Sequence, residues 1–191
     1  MSPEETPATS AVRRIEAVAL CGAGAVGSTY AEKLHDLDPS AFTVIAGGAR
    51  RAQLEREGLT VNGRTFPVRC RAPGEAGPPA DLLLVAVKRH HLAAAVEDVR
   101  AVVGAGTIIL PLLNGIGSEA VLARAHGAEK VLHGFVVGND VVREGTRTRY
   151  SSIGRLFLGA ASNDRADPRV LAVKALLDRA GIPNVVPEDI L

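Results

Sequence analysis

Residues 15–27 constrain the fold of this chain more than any other segment. Residues 15–20 are mostly apolar and predict a buried strand, which leads into Gly22, Gly24 and Gly27 and then into a helical pattern. In this context Gly22 permits a tight turn, Gly24 allows a phosphate to approach the backbone, and Gly27 lets the helix pack on the sheet. The same glycine spacing without a strand and a helix around it would be more typical of an ordinary loop. The segment therefore predicts a dinucleotide-binding loop, with the N–H groups at the helix start facing a pyrophosphate.

Buried-strand and amphipathic helical patterns alternate along the rest of the chain. Strand patterns occupy residues 42–46, 82–87, 107–112, 131–137 and 156–158, and helical patterns occupy residues 25–37, 50–57, 91–103, 118 onward and 168–180. Asn62 and Gly63 predict a hairpin turn between short strands at residues 59–61 and 65–68. The polar residues 143–151 are expected only to separate two strands. The alternation predicts an α/β fold of the Rossmann type, a doubly wound, mostly parallel sheet with helices on both faces.

Composition narrows the classes of function. The 191 residues carry a formal net charge of +1 without a basic block or stripe, so neither nucleic-acid binding nor a membrane-surface role is expected. The apolar runs are too short to span a membrane. Cys21 and Cys70 lack the spacing of a metal or redox motif and are interpreted as structural thiols, so no metal site is predicted. Residues 1–14 contain no apolar secretion core and are expected to form a flexible leader, and a cytoplasmic location follows by default.

The end of the second predicted strand indicates which dinucleotide is preferred. An NAD site of this type normally has an Asp or Glu there, which accepts hydrogen bonds from the ribose 2′-hydroxyl. Residues 46–49 are instead Ala-Gly-Gly-Ala, followed by Arg50 and Arg51. A guanidinium can bind a 2′-phosphate through charge-assisted hydrogen bonds, whereas a carboxylate would repel it. We therefore predict NADP as the cofactor, with Arg50 favoured over Arg51 as the phosphate contact. The alternative is that both arginines only solvate the first turn of a helix.

Two more polar residues follow predicted strands, where parallel sheets place functional groups. Lys88 comes directly after the apolar strand at residues 82–87, so we expect its ammonium group beside the cofactor cleft; the alternative is a side chain that only extends into solvent. Asn114 follows the strand near residue 110. Its amide is expected to reach a substrate or the nicotinamide ribose, unless it only forms an Asn-Gly turn. His90 and His91 are interpreted as helix-start residues without a catalytic role.

Taken together, these motifs resemble those of the ketopantoate reductase family. The resemblance covers about residues 15–191 and is carried by Gly22-Ala23-Gly24-Ala25-Val26-Gly27, by Ala-Gly-Gly-Ala-Arg50, by the apolar strand ending in Lys88, by Leu-Asn114-Gly-Ile-Gly-Ser-Glu, and by Ala-Gly-Ile-Pro at residues 180–183. It implies NADPH-dependent reduction of the 2-oxoacid 2-dehydropantoate to pantoate, on the route to pantothenate and coenzyme A. It also implies that residues 22–27 bind the pyrophosphate, that Arg50 binds the 2′-phosphate, that Lys88 lies near the cofactor, and that Asn114 contacts cofactor or substrate.

The same resemblance implies that part of the active site lies outside this chain. Family members protonate the oxyanion with a lysine on a helix that follows the nucleotide domain, and that lysine would lie beyond Leu191, so no catalytic residue is assigned here. Residues 15–183 are expected to form the NADP-binding domain, and residues 184–191 the start of a connection to an absent helical domain. His91 stands where many relatives have Gln. The resemblance places Asp140 toward the nicotinamide side, in the segment between Gly134 and Gly145 where the alignment with the family is loose.

Two other functions stay open at this stage. One is a stand-alone NADP-binding sensor or regulatory module without turnover, and the other is a related NADPH-dependent 2-oxoacid reductase. An apolar face is expected wherever a further domain would dock, which favours homo-oligomerisation or low solubility.

Overall fold

Strands and helices alternate along the chain, as the α/β prediction requires. The computed structural model describes residues 12–113 and 117–191. In chain order the strands are β1 (Val18–Cys21), β2 (Phe42–Ile45), β3 (Leu59–Val61), β4 (Arg64–Phe66), β5 (Cys70–Arg71), β6 (Leu82–Val85), β7 (Ile108–Pro111), β8 (His133–Val137), β9 (Val142–Glu144), β10 (Arg147–Arg149), β11 (Arg155–Gly159) and β12 (Asn184–Val185). The helices are α1 (Ala25–Leu37), α2 (Gly48–Glu57), α3 (Leu92–Asp98), α4 (Ser118–His126) and α5 (Pro168–Arg179). None of these helices is long and apolar enough to cross a membrane.

The central sheet has five parallel strands in the order β5-β2-β1-β6-β7. The chain builds outward from β1 to β2 and β5, and then returns past β1 to form β6 and β7 on the other side. The carboxyl ends of β1 and β6 therefore flank a topological switch point. Open α/β sheets bind their ligands in the crevice at such a point.

Helices cover both faces of this sheet. Along β1, Val18 and Leu20 belong to one core cluster, and Ala19 and Cys21 belong to the other. α1 and α5 pack on the first face and α3 and α4 on the second, through Tyr30, Leu34, Val173, Leu177, Val96 and Leu122 among others. All four residues of β1 are buried, which explains the unbroken apolar pattern of the strand. The predicted Rossmann-type fold is confirmed.

Two smaller sheets flank the central one. The first has the order β4-β3-β10-β9, and the second has the order β12-β11-β8. The second sheet lies next to β7. Val131, two residues before β8, forms a parallel bridge with Ile109 of β7. The predicted β3–β4 hairpin is confirmed, because Asn62 and Gly63 form its turn with φ of 47° and 81°.

Tyr150 ties the β4-β3-β10-β9 sheet to α1. Its hydroxyl donates a hydrogen bond to Glu32 Oε2 at 2.6 Å, and its backbone N–H donates to Asn62 Oδ1 at 2.9 Å. Burial and then the hydrogen bond to Glu32 raise the pKa of Tyr150, so the phenol stays protonated and able to donate. This anchor holds the sheet that carries β9 and β10 against the first helix.

The sequence prediction of one long helix at residues 91–103 is wrong. That segment is α3, flanked by 3₁₀ turns at Arg89–His91 and Arg100–Val102. The turns tighten because Lys88 and Val99 accept hydrogen bonds from N–H groups three residues further on. The predicted strand at residues 65–68 is instead Arg64–Phe66 and ends before Pro67, which has no N–H to donate.

The expectation that residues 143–151 only separate two strands is also wrong. They contribute to a hairpin of β9 and β10, which pair in antiparallel fashion around Gly145 with φ of 59°. In β10 only Thr148 is buried between two exposed arginines, so the strand has no apolar alternation that the sequence could reveal.

Both ends of the described chain contact the domain. Arg13 donates a hydrogen bond to Gly106 O at 2.7 Å and forms an ion pair with Asp81, while residues 1–11 of the predicted leader lie outside the described residues. At the other end β12 pairs with β11, and Ile190 is buried beside Gly159.

Candidate functional site

The carboxyl ends of β1, β2 and β6 open into a cleft of about 800 Å³. Its walls are formed by residues 21–26 after β1, residues 44–47 at the end of β2, residues 86–91 after β6, and by Arg50, Leu54, Ala94, Ala95, Asp98, Leu113 and Arg143. The volume lies within the range of small-molecule and cofactor sites, about 300–1,000 Å³. The cleft coincides with the switch point between β1 and β6, where a parallel sheet is expected to bind its ligand.

The three glycines after β1 serve different purposes. Gly22 has φ of 99°, and a Cβ there would lie 2.7 Å from the carbonyl carbon and oxygen of Ala86. A Cβ on Gly27 would lie 1.9 Å from Gly22 O. A Cβ on Gly24, by contrast, would have no atom within 4 Å. Gly22 and Gly27 are therefore required by the turn and by helix packing, whereas Gly24 leaves open space at the cleft.

The start of α1 presents the positive end of the helix to this open space. Gly24 is the N-cap residue, it makes no side-chain cap hydrogen bond, and the first turn contains no acidic residue. The N–H groups of a helix's first turn have no partner within the helix. This arrangement suits an anionic group, because free N–H groups and the helix dipole both favour negative charge.

The structure separates the two arginines that follow β2. Arg50 lines the cleft, with Nη2 donating to Ala23 O at 3.1 Å and Nη1 donating to Gln53 Oε1 at 2.9 Å. Arg51 bonds to Glu55 at 2.7 Å and to Glu75 at 2.6 Å, and these two partners raise its pKa. Of this pair, only Arg50 is placed to meet a ligand in the cleft.

A second guanidinium reaches the cleft from the β9–β10 hairpin. Arg143 Nη1 donates to Ala23 O, and Nε donates to Gly145 O at 2.9 Å. Burial and then the nearby charge of Arg50 lower the pKa of Arg143. The sequence does not predict that Arg143 reaches the cleft, because 120 positions separate it from Ala23. Recognition of a hairpin around Gly145 would have been needed to place Arg143 near the glycine loop.

The polar residues after β6 also lie at the cleft. Lys88 follows β6 as predicted, its side chain is exposed, and its carbonyl accepts a hydrogen bond from the His91 N–H at 2.8 Å. His90 and His91 line the same wall, with their rings in edge contact at a centroid distance of 4.2 Å. Asn114 lies outside the described residues, although Leu113 before it lines the cleft.

Asp140 does not line the cleft. Its carboxylate accepts hydrogen bonds from the Ser151 N–H at 2.9 Å, from the Ser152 N–H at 2.7 Å, and from the Ser151 hydroxyl. These bonds, with that of the Ser151 hydroxyl foremost, lower the pKa of Asp140. In this structure its role is to hold the loop that precedes β9.

Cys21 lies at the base of the cleft as a buried, free thiol. Burial, with a contribution from Asp98, raises the pKa of Cys21 to about 12, so the thiol stays protonated at neutral pH. Cys70 is also free. Within residues 12–113 and 117–191, no three His, Cys, Asp or Glu side chains are grouped in a way that could hold a metal ion.

Comparison with known proteins points to one family. The family model of ketopantoate reductase, PanE/ApbA, matches residues 18–163. The 2-dehydropantoate 2-reductase of Streptococcus pyogenes serotype M3 is 27% identical over 177 residues, which make up 89% of this chain and 58% of that protein. The chain thus spans 58% of the length of this curated relative.

Solved structures agree with this match. The crystal structure of 2-dehydropantoate 2-reductase from Geobacter metallireducens GS-15 has a TM-score of 0.76 at 28% identity, and the match covers 90% of this chain and 58% of that chain. The ternary structure of D-mandelate dehydrogenase with NADH and anilino(oxo)acetate has a TM-score of 0.77 at 24% identity, covering 91% of this chain and 57% of that chain. The similarity to D-mandelate dehydrogenase shows only that the two proteins share a fold.

Substitution of alanine at two of the glycines separates their structural requirements. We expect Gly27→Ala to lower the free energy of unfolding by about 3 kcal/mol or more, because the added methyl group would overlap a backbone oxygen that cannot move aside. Gly24→Ala should change the unfolding midpoint by no more than about 3 °C, since its methyl group meets open space. Thermal unfolding followed by circular dichroism measures both, and equal destabilisation by the two variants would contradict the described packing.

Proposed function

The chain belongs to the ketopantoate reductase PanE/ApbA family, and we propose that it is the nucleotide-binding part of an enzyme that reduces 2-dehydropantoate to pantoate with NADPH. The observation that carries the cofactor proposal is the cleft itself, in which an open glycine loop faces Arg50 in the first turn of α2, just after β2. The substrate proposal rests on the relatives, which are 2-dehydropantoate 2-reductases. Because the chain spans 58% of such a relative, the complete reaction is proposed for the whole protein.

The residues of the cleft fit a dinucleotide. Gly24 leaves room for a pyrophosphate against the backbone, and the first-turn N–H groups of α1 would donate to its oxygens. Residues 22–27 accordingly form the proposed pyrophosphate contact. When bound, NADPH supplies the hydride for the reduction.

The end of β2 favours a phosphate over a free ribose hydroxyl. NADH recognition needs an acceptor for the 2′-hydroxyl, and residues 46–49 offer no carboxylate. The nearest acids on α2 are already engaged, Glu55 by Arg51 and Glu57 by Gln53 and Arg56. Arg50 instead presents a guanidinium to the cleft. D-mandelate dehydrogenase shares the fold and is seen with NADH, so we attribute the NADPH preference to this local charge rather than to the fold.

Lys88 and Asn114 are proposed to act at the same cleft. Lys88 follows the end of β6 by three residues and lines the same cleft as the glycine loop, so its positive charge would attract the anionic cofactor. The proposed contact of Asn114 with cofactor or substrate stays a prediction, because this residue lies outside the described residues. Reduction of a ketone also creates an alkoxide that must be protonated. Family resemblance assigns that proton to a lysine in the part of the relatives that this chain does not match.

Removal of the Arg50 guanidinium tests the cofactor proposal. We expect Arg50→Ala to weaken NADPH binding by about 10- to 100-fold, because a charge-assisted hydrogen bond contributes about 1.5–3 kcal/mol. NADH binding should change by less than about twofold. Fluorescence titration of the bound nicotinamide measures both affinities.

Arg51→Ala is the matched control for this experiment. It removes the same charge from the next residue of the same helix, but from a side chain that bonds to Glu55 and Glu75. NADPH binding should therefore stay within about twofold of wild type. Wild-type protein that binds NADH as tightly as NADPH, or equal losses in the two variants, would refute the cofactor proposal.

An activity assay tests whether this chain binds the nucleotide but cannot catalyse the reduction by itself. We expect the purified 191-residue chain to bind NADPH but not to oxidise it faster in the presence of 2-dehydropantoate. A longer chain that also contains the part of the relatives that this chain does not match should show turnover, which a nucleotide sensor would not. Nicotinamide absorbance follows the reaction, and other 2-oxoacids serve as competing substrates. Turnover of 2-dehydropantoate by the 191-residue chain alone would contradict the proposed division.

A further inference from the structure

Two arginines from distant parts of the chain reach one carbonyl oxygen of the glycine loop. Arg50 approaches Ala23 O from α2 with a distance of 3.1 Å, and Arg143 approaches the same oxygen from β9. Two guanidinium nitrogens that bond to one oxygen lie within about 6 Å of each other. Like charges at that separation repel unless an anion compensates them.

Neither guanidinium has a carboxylate among its hydrogen-bond partners within the described part of the chain. Arg50 bonds to Gln53 and Ala23, and Arg143 bonds to Ala23 and Gly145. The neighbouring Arg51 is different, because it bonds to two glutamates. Both Arg50 and Arg143 are half-buried, so solvent screens their charges less than it screens exposed ones. The pair therefore forms a positively charged corner of the cleft in which, among the described residues, neither guanidinium is hydrogen-bonded to a carboxylate.

We propose that Arg143 is a second arginine of the cofactor phosphate site and that, together with Arg50, it encloses the 2′-phosphate of NADPH. The inference rests on the proposed function, since it takes NADPH as the ligand. A phosphate monoester carries nearly two negative charges and three strong acceptor oxygens. Both guanidiniums can donate to it at once, Arg50 from the α2 side and Arg143 from the hairpin side. The phosphate then replaces the shared Ala23 carbonyl as their acceptor.

The hairpin holds Arg143 in position without a ligand. β9 pairs with β10, β10 pairs with β3, and Tyr150 links this sheet to Glu32 of α1. The Nε of Arg143 is also fixed, because it donates to Gly145 O at 2.9 Å. Binding of a phosphate therefore has to order little of this side chain, which favours affinity.

The test must separate the 2′-phosphate from the pyrophosphate, which NADPH and NADH share. We expect Arg143→Ala to weaken binding of NADPH and of adenosine 2′,5′-bisphosphate by about tenfold or more. Binding of NADH and of adenosine 5′-monophosphate should change by less than about twofold. Arg143→Lys should recover part of the loss, because it keeps the charge but not the two-pronged donor.

Arg149→Ala is the matched control. Arg149 lies on the same hairpin, but it is exposed and its guanidinium is 3.5 Å from Glu144. Its removal should leave all four affinities unchanged within about twofold. Thermal unfolding without ligand establishes that each variant is folded, and Arg143→Gln replaces the alanine variant if that one is not.

The outcomes distinguish this inference from the proposed function. Equal losses of NADPH and NADH in the Arg143 variant would overturn the 2′-phosphate assignment, and unchanged NADPH binding by a folded variant would overturn any cofactor contact. Either result leaves the role of Arg50 intact. Failure of the proposed function looks different, because wild-type protein would then show no preference for NADPH and Arg50→Ala would have no effect.

Discussion

The first helix of this protein begins in contact with the backbone of the turn before it. Gly27 lies so close to the carbonyl oxygen of Gly22 that a Cβ would be 1.9 Å from it, and a Cβ on Gly22 would be 2.7 Å from the carbonyl group of Ala86 after β6. This contact fixes the start of α1 relative to β1 and β6, and so fixes the direction of its first N–H groups. The geometry of the cleft between β1 and β6 therefore depends on a few backbone atoms of Gly22, Gly27 and Ala86.

The proposed preference for NADPH depends on side chains at the edge of the cleft and not on the backbone contacts that form it. The fold is shared with a D-mandelate dehydrogenase that is seen with NADH. Within one fold, the cofactor preference can depend on a single side chain after β2. A carboxylate there favours a ribose 2′-hydroxyl, and a guanidinium favours a 2′-phosphate. Here Arg50 and Arg143 converge from α2 and from the β9–β10 hairpin on Ala23. A peripheral sheet thus contributes a guanidinium to the wall of a cleft that the central sheet creates.

Local patterns predict the central part of this structure and miss its periphery. The glycine loop, α1 with its bounds Ala25–Leu37, and the strands around Val18–Cys21 and Leu82–Val85 follow from apolar runs and from backbone requirements of neighbouring residues. The β9–β10 hairpin could not be predicted in this way, because its side chains are mostly polar and exposed. Arg143 is missed for the same reason. Its place at the cleft depends on strand pairing and on the Tyr150–Glu32 bond, which join segments far apart in the sequence.

A crystal structure of the chain with NADP⁺ would test the central claim most directly. We expect the pyrophosphate to lie against Gly24 and the first turn of α1, with the 2′-phosphate oxygens within hydrogen-bonding distance of the guanidiniums of Arg50 and Arg143. A dinucleotide bound outside the cleft between β1 and β6, or a 2′-phosphate directed away from Arg50, would contradict it.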